Sequence, residues 1–314
     1  MTAIAGIHHV TAIASDPQRN LDFYARHLGL RLVKLTVNFD DPGTYHFYFG
    51  DQAGSPGTIL TFFPWPHAKR GRHGSGATAA TSFAVPPSSL DFWASRLGAH
   101  AVTRSTRFGE KVLAFEDPDG MRLELVEVSA ISSGPVWTPS GISADHAIRG
   151  FHGVTLAVEG HEKTSDLLTA GLGFELLAHE GNRFRYRAPG NGPAGIVDVL
   201  CVPDLSASKL GAGIVHHVAF RARNDAEQGH WQRLVGSRGL NVTPVLDRSY
   251  FRSIYFREPG GILFEIATDQ PGFATDESPE TLGTSLRLPA QHERIRDRIL
   301  QVLPKLRLPG EGKA

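Results

Sequence analysis

The chain has 314 residues, 41% apolar and 20% charged, enough for a large core and long enough for two domains. Its 32 lysines and arginines balance 32 aspartates and glutamates, which leaves no electrostatic footprint for nucleic acid or an anionic membrane, and no run of about 20 apolar residues is present to cross a bilayer. The one cysteine, Cys201, excludes an intrachain disulfide, and MTAIAGIHHV lacks the basic and apolar segments of a leader, so a cytoplasmic protein acting on a small molecule is expected.

Read from the N-terminus, the chain repeats one pattern four times. AGIHHVTAIA reads as a strand, DPQRNLDFYARHLGLRLV sets Leu21, Tyr24 and Leu28 at helical spacing, and LRLVKLTVN, TYHFYFGD and GTILTFF follow as three more strands. That order is βαβββ. The second copy, about 78–128, runs TSFAV, PSSLDFWASRLG, HAVTRST, KVLAFEDPDG and MRLELVEV, and its SLDFWASRLG echoes NLDFYARHLG. The third passes from GFHGVTLAV through TSDLLTAGLGFELL and NRFRYRAPG to GIVDVLCV. The fourth opens on VHHVAFRA, continues through DAEQGHWQRLVGSRG and closes with FRSIYFREPGGILFEIATD. Gly-, Pro- and Ser-rich segments at 132–141 and 204–213 separate copies two from three and three from four. The expected division is an N-terminal domain at 4–131 (modules one and two), a C-terminal domain at 148–269 (modules three and four) and a tail at 270–314. In that tail HERIRDRILQVLPKL places Ile295, Ile299 and Leu303 four apart, predicting an amphipathic helix packed on the barrel or on a second subunit of a homo-oligomer.

Two features of the repeats carry chemistry. Histidine pairs recur at matching points, His8-His9 in module one and His216-His217 in module four, whereas module three has His152-Gly153 and module two has none. Two matching turns, EDPDG and REPGG, launch the last strands of modules two and four, and six residues beyond each proline stands a glutamate, Glu124 and Glu265. A lone strand histidine is ordinarily a surface or hydrogen-bonded core residue. Two pairs in register with a repeat, plus a carboxylate at the end of one repeat, instead indicate a metal site of His9, His217 and Glu265. Glu124 finds only Gly153 and a Ser or Thr as would-be partners, so modules two and three are expected to form a degenerate cup and Glu124 a structural role.

Together the four βαβββ modules, over roughly residues 4–269, resemble the vicinal oxygen chelate (glyoxalase/bleomycin resistance/extradiol dioxygenase) superfamily. Within it, VNFDDPGTYHFYFGD and PGFATDESPETLG look like the branch of hydroquinone-type ring-cleaving dioxygenases. The resemblance implies an α+β fold of two cupped mixed-sheet barrels plus the C-terminal tail helix, with modules one and four building the active cup. It implies Fe(II), with Mn(II) as the alternative, held by His9, His217 and Glu265, and a small aromatic substrate, hydroquinone or catechol in type, consumed with O2. His216 resembles the acid–base histidine of that branch, Tyr255 and Arg248 match its pocket residues, and His8 is placed near the pocket. In a regular strand His8 and His216 would face away from the ligands, and a β-bulge would re-aim them. The rival readings are a glyoxalase-like isomerase or lyase, which needs a second carboxylate that TILTFFPW lacks, and a non-enzymatic ligand-binding protein. His46 is a weaker metal or phosphate signal.

Overall fold

The computed structural model describes residues 3–98, 100, 102–129, 136–139, 141–189 and 194–309; of the linker expected at 132–141, residues 132–135 and 140 lie outside them. Module one contains β1 (Ile7–Ala14), α1 (Pro17–Asp22), β2 (Arg31–Val37), β3 (Tyr45–Gly50) and β4 (Ile59–Pro64). Module two contains β5 (Ala77–Val85), α2 (Leu90–Arg96), β6 (Thr103–Arg107), β7 (Glu110–Glu116) and β8 (Arg122–Glu127). In module three these become β9 (Phe151–Val158), α3 (Glu162–Asp166), β10 (Glu175–Glu180), β11 (Arg183–Arg187) and β12 (Ile196–Cys201). Module four has β13 (Val215–Ala222), α4 (Asp225–Ser237), β14 (Leu246–Asp247), β15 (Phe251–Arg257) and β16 (Leu263–Pro271).

Local sequence explains the helices. Asp16 accepts the Arg19 backbone N–H at 2.7 Å and Pro17 opens α1, so the first turn is capped and its missing donor costs nothing. The helix continues into a π-helical turn, Phe23–His27, that buries Phe23 and Tyr24. Asn224 caps α4 in the same manner, and Trp231 and Val235 turn its inner face to the core.

Within each module the first strand pairs in parallel with the last, and the two middle strands continue the sheet antiparallel. The two sheets are then made by joining first strands: β1 pairs antiparallel with β13, and β5 with β9. The result is two curled eight-stranded mixed sheets, ordered β14-β15-β16-β13-β1-β4-β3-β2 and β10-β11-β12-β9-β5-β8-β7-β6. Modules one and four therefore share one cup, and modules two and three the other. Each sheet takes strands from both sides of the 132–141 linker.

Register shifts mark the joins. Ile7 faces Phe220 and His9 faces Ala219, so His8 is an extra residue on β1; Thr11 faces His217 and Ala12 faces Val215, so His216 is the extra residue on β13. The β5–β9 pair repeats both bulges, at Ala79 and at His152. A bulge removes the residue from the strict alternation of the strand, which lets two consecutive histidines serve one site.

The tail differs from the expected long helix. A 3₁₀ stretch covers Ala290–Ile295 and the α-helix α5 only Arg296–Val302; Ile299 and Leu303 are buried against the main core while Ile295 is exposed. The irregular ends of the apolar row, with Pro304 close behind it, keep the helix short. Before it, residues 276–288 run along the outer edge of β2, where Leu286 bridges to Leu35 and the buried Lys34 ammonium meets Asp276 at 2.5 Å and Glu277. This strap covers a strand edge that would otherwise be open. Removing one partner of a buried ion pair leaves an uncompensated charge, so Lys34→Ala is expected to lower unfolding free energy by about 3 kcal/mol or more in urea titrations.

Candidate metal centre

His9 on β1, His217 on β13 and Glu265 on β16 converge inside the first cup, all three buried. The Nε2 atoms of His9 and His217 are 3.4 Å apart, and Glu265 Oε2 lies 3.3 Å from the first and 2.9 Å from the second. Two ligands at about 2.1 Å from one ion and at right angles to each other stand about 3.0 Å apart, so this triangle has the size of one octahedral face. Oε2 points between the imidazoles without in-line hydrogen-bond geometry, while Oε1 accepts from the Ser253 hydroxyl. The donor set and its spacing therefore fit a divalent cation. Burial alone would raise the Glu265 carboxyl, but the neighbouring His9 and His217 imidazoles outweigh it and hold it well below the usual carboxylate range.

The histidine pairs have a directional logic. His8 Nδ1 is 2.9 Å from His9 Nδ1, and His216 Nδ1 is 2.8 Å from His217 Nδ1. A histidine that offers Nε2 to a metal carries its proton on Nδ1, so His9 and His217 donate and His8 and His216 accept. Each first histidine thus sets the ring and tautomer of the second. Burial first, then the neighbouring His9, pushes His8 well below the ordinary histidine range, and burial, His217 and Arg257 bring His216 down to about 3, so both are neutral acceptors at pH 7.

The two then differ. His216 lines the cavity beside the triad, with its ring 5.8 Å from Phe63, whereas His8 stands behind His9 against Phe251 and is not part of the cavity wall. Tyr255 faces Glu265 directly across β15 and β16, its ring 5.7 Å from that of His217. Arg248 reaches the same cavity, with Nε 3.4 Å from the Tyr255 hydroxyl and its guanidinium 5.5 Å from the Phe39 and Tyr255 ring centres. Burial and the Glu265 charge, opposed by Arg248, raise the Tyr255 phenol, which keeps its proton at neutral pH. The cavity measures about 300 Å³ and its wall is largely apolar, with Phe39, Phe63, Leu246, Phe251 and Leu263 around the polar groups. A larger polar cleft of about 720 Å³ between the sheets shares only His216 and Leu263 with it.

Pairing register identifies what each module places at the ligand positions. Counting two residues on from His217 and crossing to the partner strand gives Glu265; the same step from His9 gives Thr61. In the second sheet it gives Glu124 from Ala80 and Asp198 from Gly153. Asp198 escaped the sequence reading because no turn motif precedes it, and Ala80, rather than a Ser or Thr, occupies the second histidine's place. Glu124 and Asp198 hold no pair of imidazoles between them. Instead Arg107 forks onto Glu124 at 2.9 and 2.6 Å, with Nε 3.6 Å from Asp198, while Arg183 and Arg185 also meet Asp198 and His152 binds Glu110 at 3.0 Å. A guanidinium replaces the cation. Gly153 cannot be reversed to histidine without moving β12, since a Cβ there would sit 2.4 Å from the Ile196 carbonyl oxygen.

This pairing of βαβββ modules around a two-histidine, one-carboxylate centre defines a class, and the Glyoxalase/Bleomycin resistance protein/Dioxygenase superfamily profile matches residues 6–125 and 150–266. The chain belongs to that superfamily. It is 51% identical over 300 residues to MhqO of Bacillus subtilis (strain 168), a ring-cleaving dioxygenase by name, covering 95% of each chain. It is 35% identical over 311 residues, 96% of each chain, to the chlorohydroquinone/hydroquinone 1,2-dioxygenase of Sphingobium indicum. A crystal structure from Bacillus subtilis, described as a dioxygenase, superposes with TM-score 0.95 at 49% identity and covers 98% of this chain and 99% of its own. Glyoxalase I from Zea mays shares the fold alone, with TM-score 0.60 at 13% identity over 84% of this chain and 92% of its own.

The contrast between the cups yields two expectations. Glu265→Gln retains less than a tenth of the bound divalent metal after dialysis, whereas Glu124→Gln retains wild-type content, both read by elemental analysis. In the second cup, burial would raise Glu110, but His152 and Arg185 lower its carboxyl from 4.5 to about 2. A depressed acid stabilises the fold above its unfolded value and loses that contribution as pH falls through the folded one. The stability advantage of wild type over Glu110→Gln, measured by urea unfolding, is therefore full above about pH 5 and shrinks towards pH 2.

Proposed function

We propose that the protein is an Fe(II)-dependent ring-cleaving dioxygenase, with Mn(II) as the alternative metal, acting on hydroquinone- or catechol-type aromatics in the cytoplasm. The observation that carries this reading is Thr61 at the position where a second carboxylate would complete a four-ligand, glyoxalase-like centre. Three protein ligands leave neighbouring positions for two more oxygen donors. The names of relatives at 35% to 51% identity support it. Held by His9, His217 and Glu265, a divalent metal would supply the Lewis-acid and redox chemistry that couples an ionised aromatic diol to dioxygen. One ring carbon–carbon bond breaks, and both oxygen atoms enter the product.

The chain's own residues supply orientation, an apolar wall and proton handling. The wall of Phe39, Phe63 and Phe251 offers apolar surface to an aromatic ring in a cavity of about 300 Å³. Arg248, fixed by Tyr255 and by Asp40 at 3.4 Å, offers a planar cationic fork to an oxygen substituent and orients the ring. His216, with Nδ1 occupied by the His217 proton, carries its own proton on Nε2 and offers it as a hydrogen bond where negative charge develops on oxygen. The protonated Tyr255 phenol, its ring 5.7 Å from that of His217, lines the same cavity and is a second hydroxyl donor there.

The test is oxygen uptake by Fe(II)-reconstituted protein across a panel of hydroquinones and catechols. One O2 consumed per ring opened is expected. Absence of uptake with every member, together with isomerisation of a hemithioacetal, would return the site to the glyoxalase-like reading. His216→Ala and Tyr255→Phe are expected to keep the metal and lose about 10²-fold in turnover, the scale of a positioned acid or base. Arg248→Lys retains metal but weakens apparent substrate affinity more than it lowers turnover.

A further inference from the structure

Arg248 stands on a tight turn, residues 247–250, whose place is decided outside the cavity. The hydrogen bonds of its guanidinium, to Tyr255 and Asp40, are 3.4 to 3.5 Å long, so they steer the head group while the reach of the fork follows from its backbone. That backbone is sharply bent. Ser249 has φ 64°, a left-handed conformation that a residue other than glycine keeps only where its surroundings hold it. The strand before the turn, β14, has two residues and lies at the sheet edge, so the sheet alone holds it weakly. The anchor is Tyr250, which is buried and is not part of the cavity wall. Its carbonyl accepts the Gly272 N–H at 2.8 Å, its ring lies 5.1 Å from that of Phe273, and its hydroxyl is 3.1 Å from Asp276 Oδ2. Burial first, then the Asp276 charge, raises this phenol, so it keeps its proton and donates to the carboxylate. The other oxygen of Asp276 meets the buried Lys34 ammonium at 2.5 Å, and that ammonium stands 4.8 Å from the centre of the Tyr250 ring.

Two distant segments therefore meet on this one turn. Residues 37–51 bring Phe39 and Asp40 to the Arg248 head group, and residues 271–283 bring Gly272, Phe273 and Asp276 to Tyr250. Taking Arg248 to be the substrate-orienting residue of the reading above, we propose that Asp276 and Lys34, neither of which lines the cavity, are positioning residues for it, acting through Tyr250. The division of labour between the two carboxylates supports this. Glu277 is fully buried, pairs with Lys34 and faces Arg287 at 3.5 Å, so it suffices to neutralise the ammonium and tie the strap to β2. Asp276, its side chain 36% exposed, is not needed for that, and it is the carboxylate that holds the phenol. Without it the turn keeps only the Gly272 bond and ring packing. A planar fork recognises an oxygen substituent only while its direction is held, so a loosened turn loses affinity before it loses the fold.

The test is a double-mutant cycle on binding. Metal-loaded protein is titrated anaerobically with a panel of hydroquinones and catechols, so that no turnover enters, and metal content is measured on every sample. Arg248→Ala is expected to lose about tenfold or more in affinity, the scale of one charge-assisted hydrogen bond. Asp276→Ala and Tyr250→Phe each weaken binding about fivefold with Arg248 present and change nothing further in the Arg248→Ala background, because they act through it. Asp276→Asn, which still accepts the phenol proton, keeps most of the affinity. Tyr250→Phe removes one hydroxyl from a retained ring, and it reads the role even where Asp276→Ala folds poorly. A part played in folding alone moves the urea midpoint and leaves affinity untouched. Losses that add across the cycle, wild-type affinity in both Asp276→Ala and Tyr250→Phe, or affinity that falls only in step with metal content overturns the proposal. So does a wild type that binds no member of the panel, or an Arg248→Ala variant that binds as wild type does. Where the coupling is found and no ring opens in the oxygen assay, the dioxygenase reading fails and the positioning role stands.

Discussion

The antiparallel pairing of β1 with β13 is the contact on which the rest depends. It joins strands at opposite ends of the repeated chain and sets His9 and His217 with Nε2 atoms 3.4 Å apart. Closing so long a loop costs little more than closing a shorter one, because the entropic penalty grows only with the logarithm of length. The pairing is held by eight-residue strands that are almost wholly buried, and its two bulges turn each histidine pair into a ligand and a support. Glu265 then arrives through the parallel β13–β16 pairing, beside Ala219.

One backbone plan has two outcomes in this molecule. Both cups keep the first-strand join, the bulges and a carboxylate on the last strand, yet one presents imidazoles and the other arginines. The difference is electrostatic. A buried carboxylate needs a cation, and where Ala80 and Gly153 supply no imidazole, the Arg107 fork neutralises Glu124 and the pair is stable without a metal. The close approach of Gly153 to Ile196 then makes the loss structural. In the first cup His9 and His217 hold the Glu265 carboxyl well below its usual range, and the set gains most from a divalent ion seated between them.

The wall around the triad follows the same repeat. Module four contributes charge and titratable groups through Glu265, Tyr255 and Arg248, and module one contributes hydroxyls and an imidazole through Thr11, Thr61, Tyr48 and His46. The strap at 276–288 and the turn before it support this side from outside, since Leu282 of the strap and Phe273 of the turn pack with Tyr48, Tyr250 and Phe251.

Much of this was legible in the sequence because repeats multiply weak signals. Four βαβββ patterns, two HH pairs in register and a Pro-Gly turn six residues before Glu265 were enough to expect the cups and the convergent triad, and the strand order and interatomic distances agree with the placement of those residues. What the linear pattern leaves open is whatever depends on the partner strand. Strict alternation sends His8 and His216 outward, and only the register shifts show that each is a bulge residue, one behind its ligand and one in the cavity wall. Asp198, Thr61 and Ala80 acquire their meanings from residues across a pairing, and the tail helix from what Ile295 and Ile299 touch. Side-chain identity and spacing are local properties that composition and periodicity encode, whereas the direction of a bulged side chain and the partner of a buried charge are set by hydrogen-bond register between distant segments, which exists only once the sheet has formed.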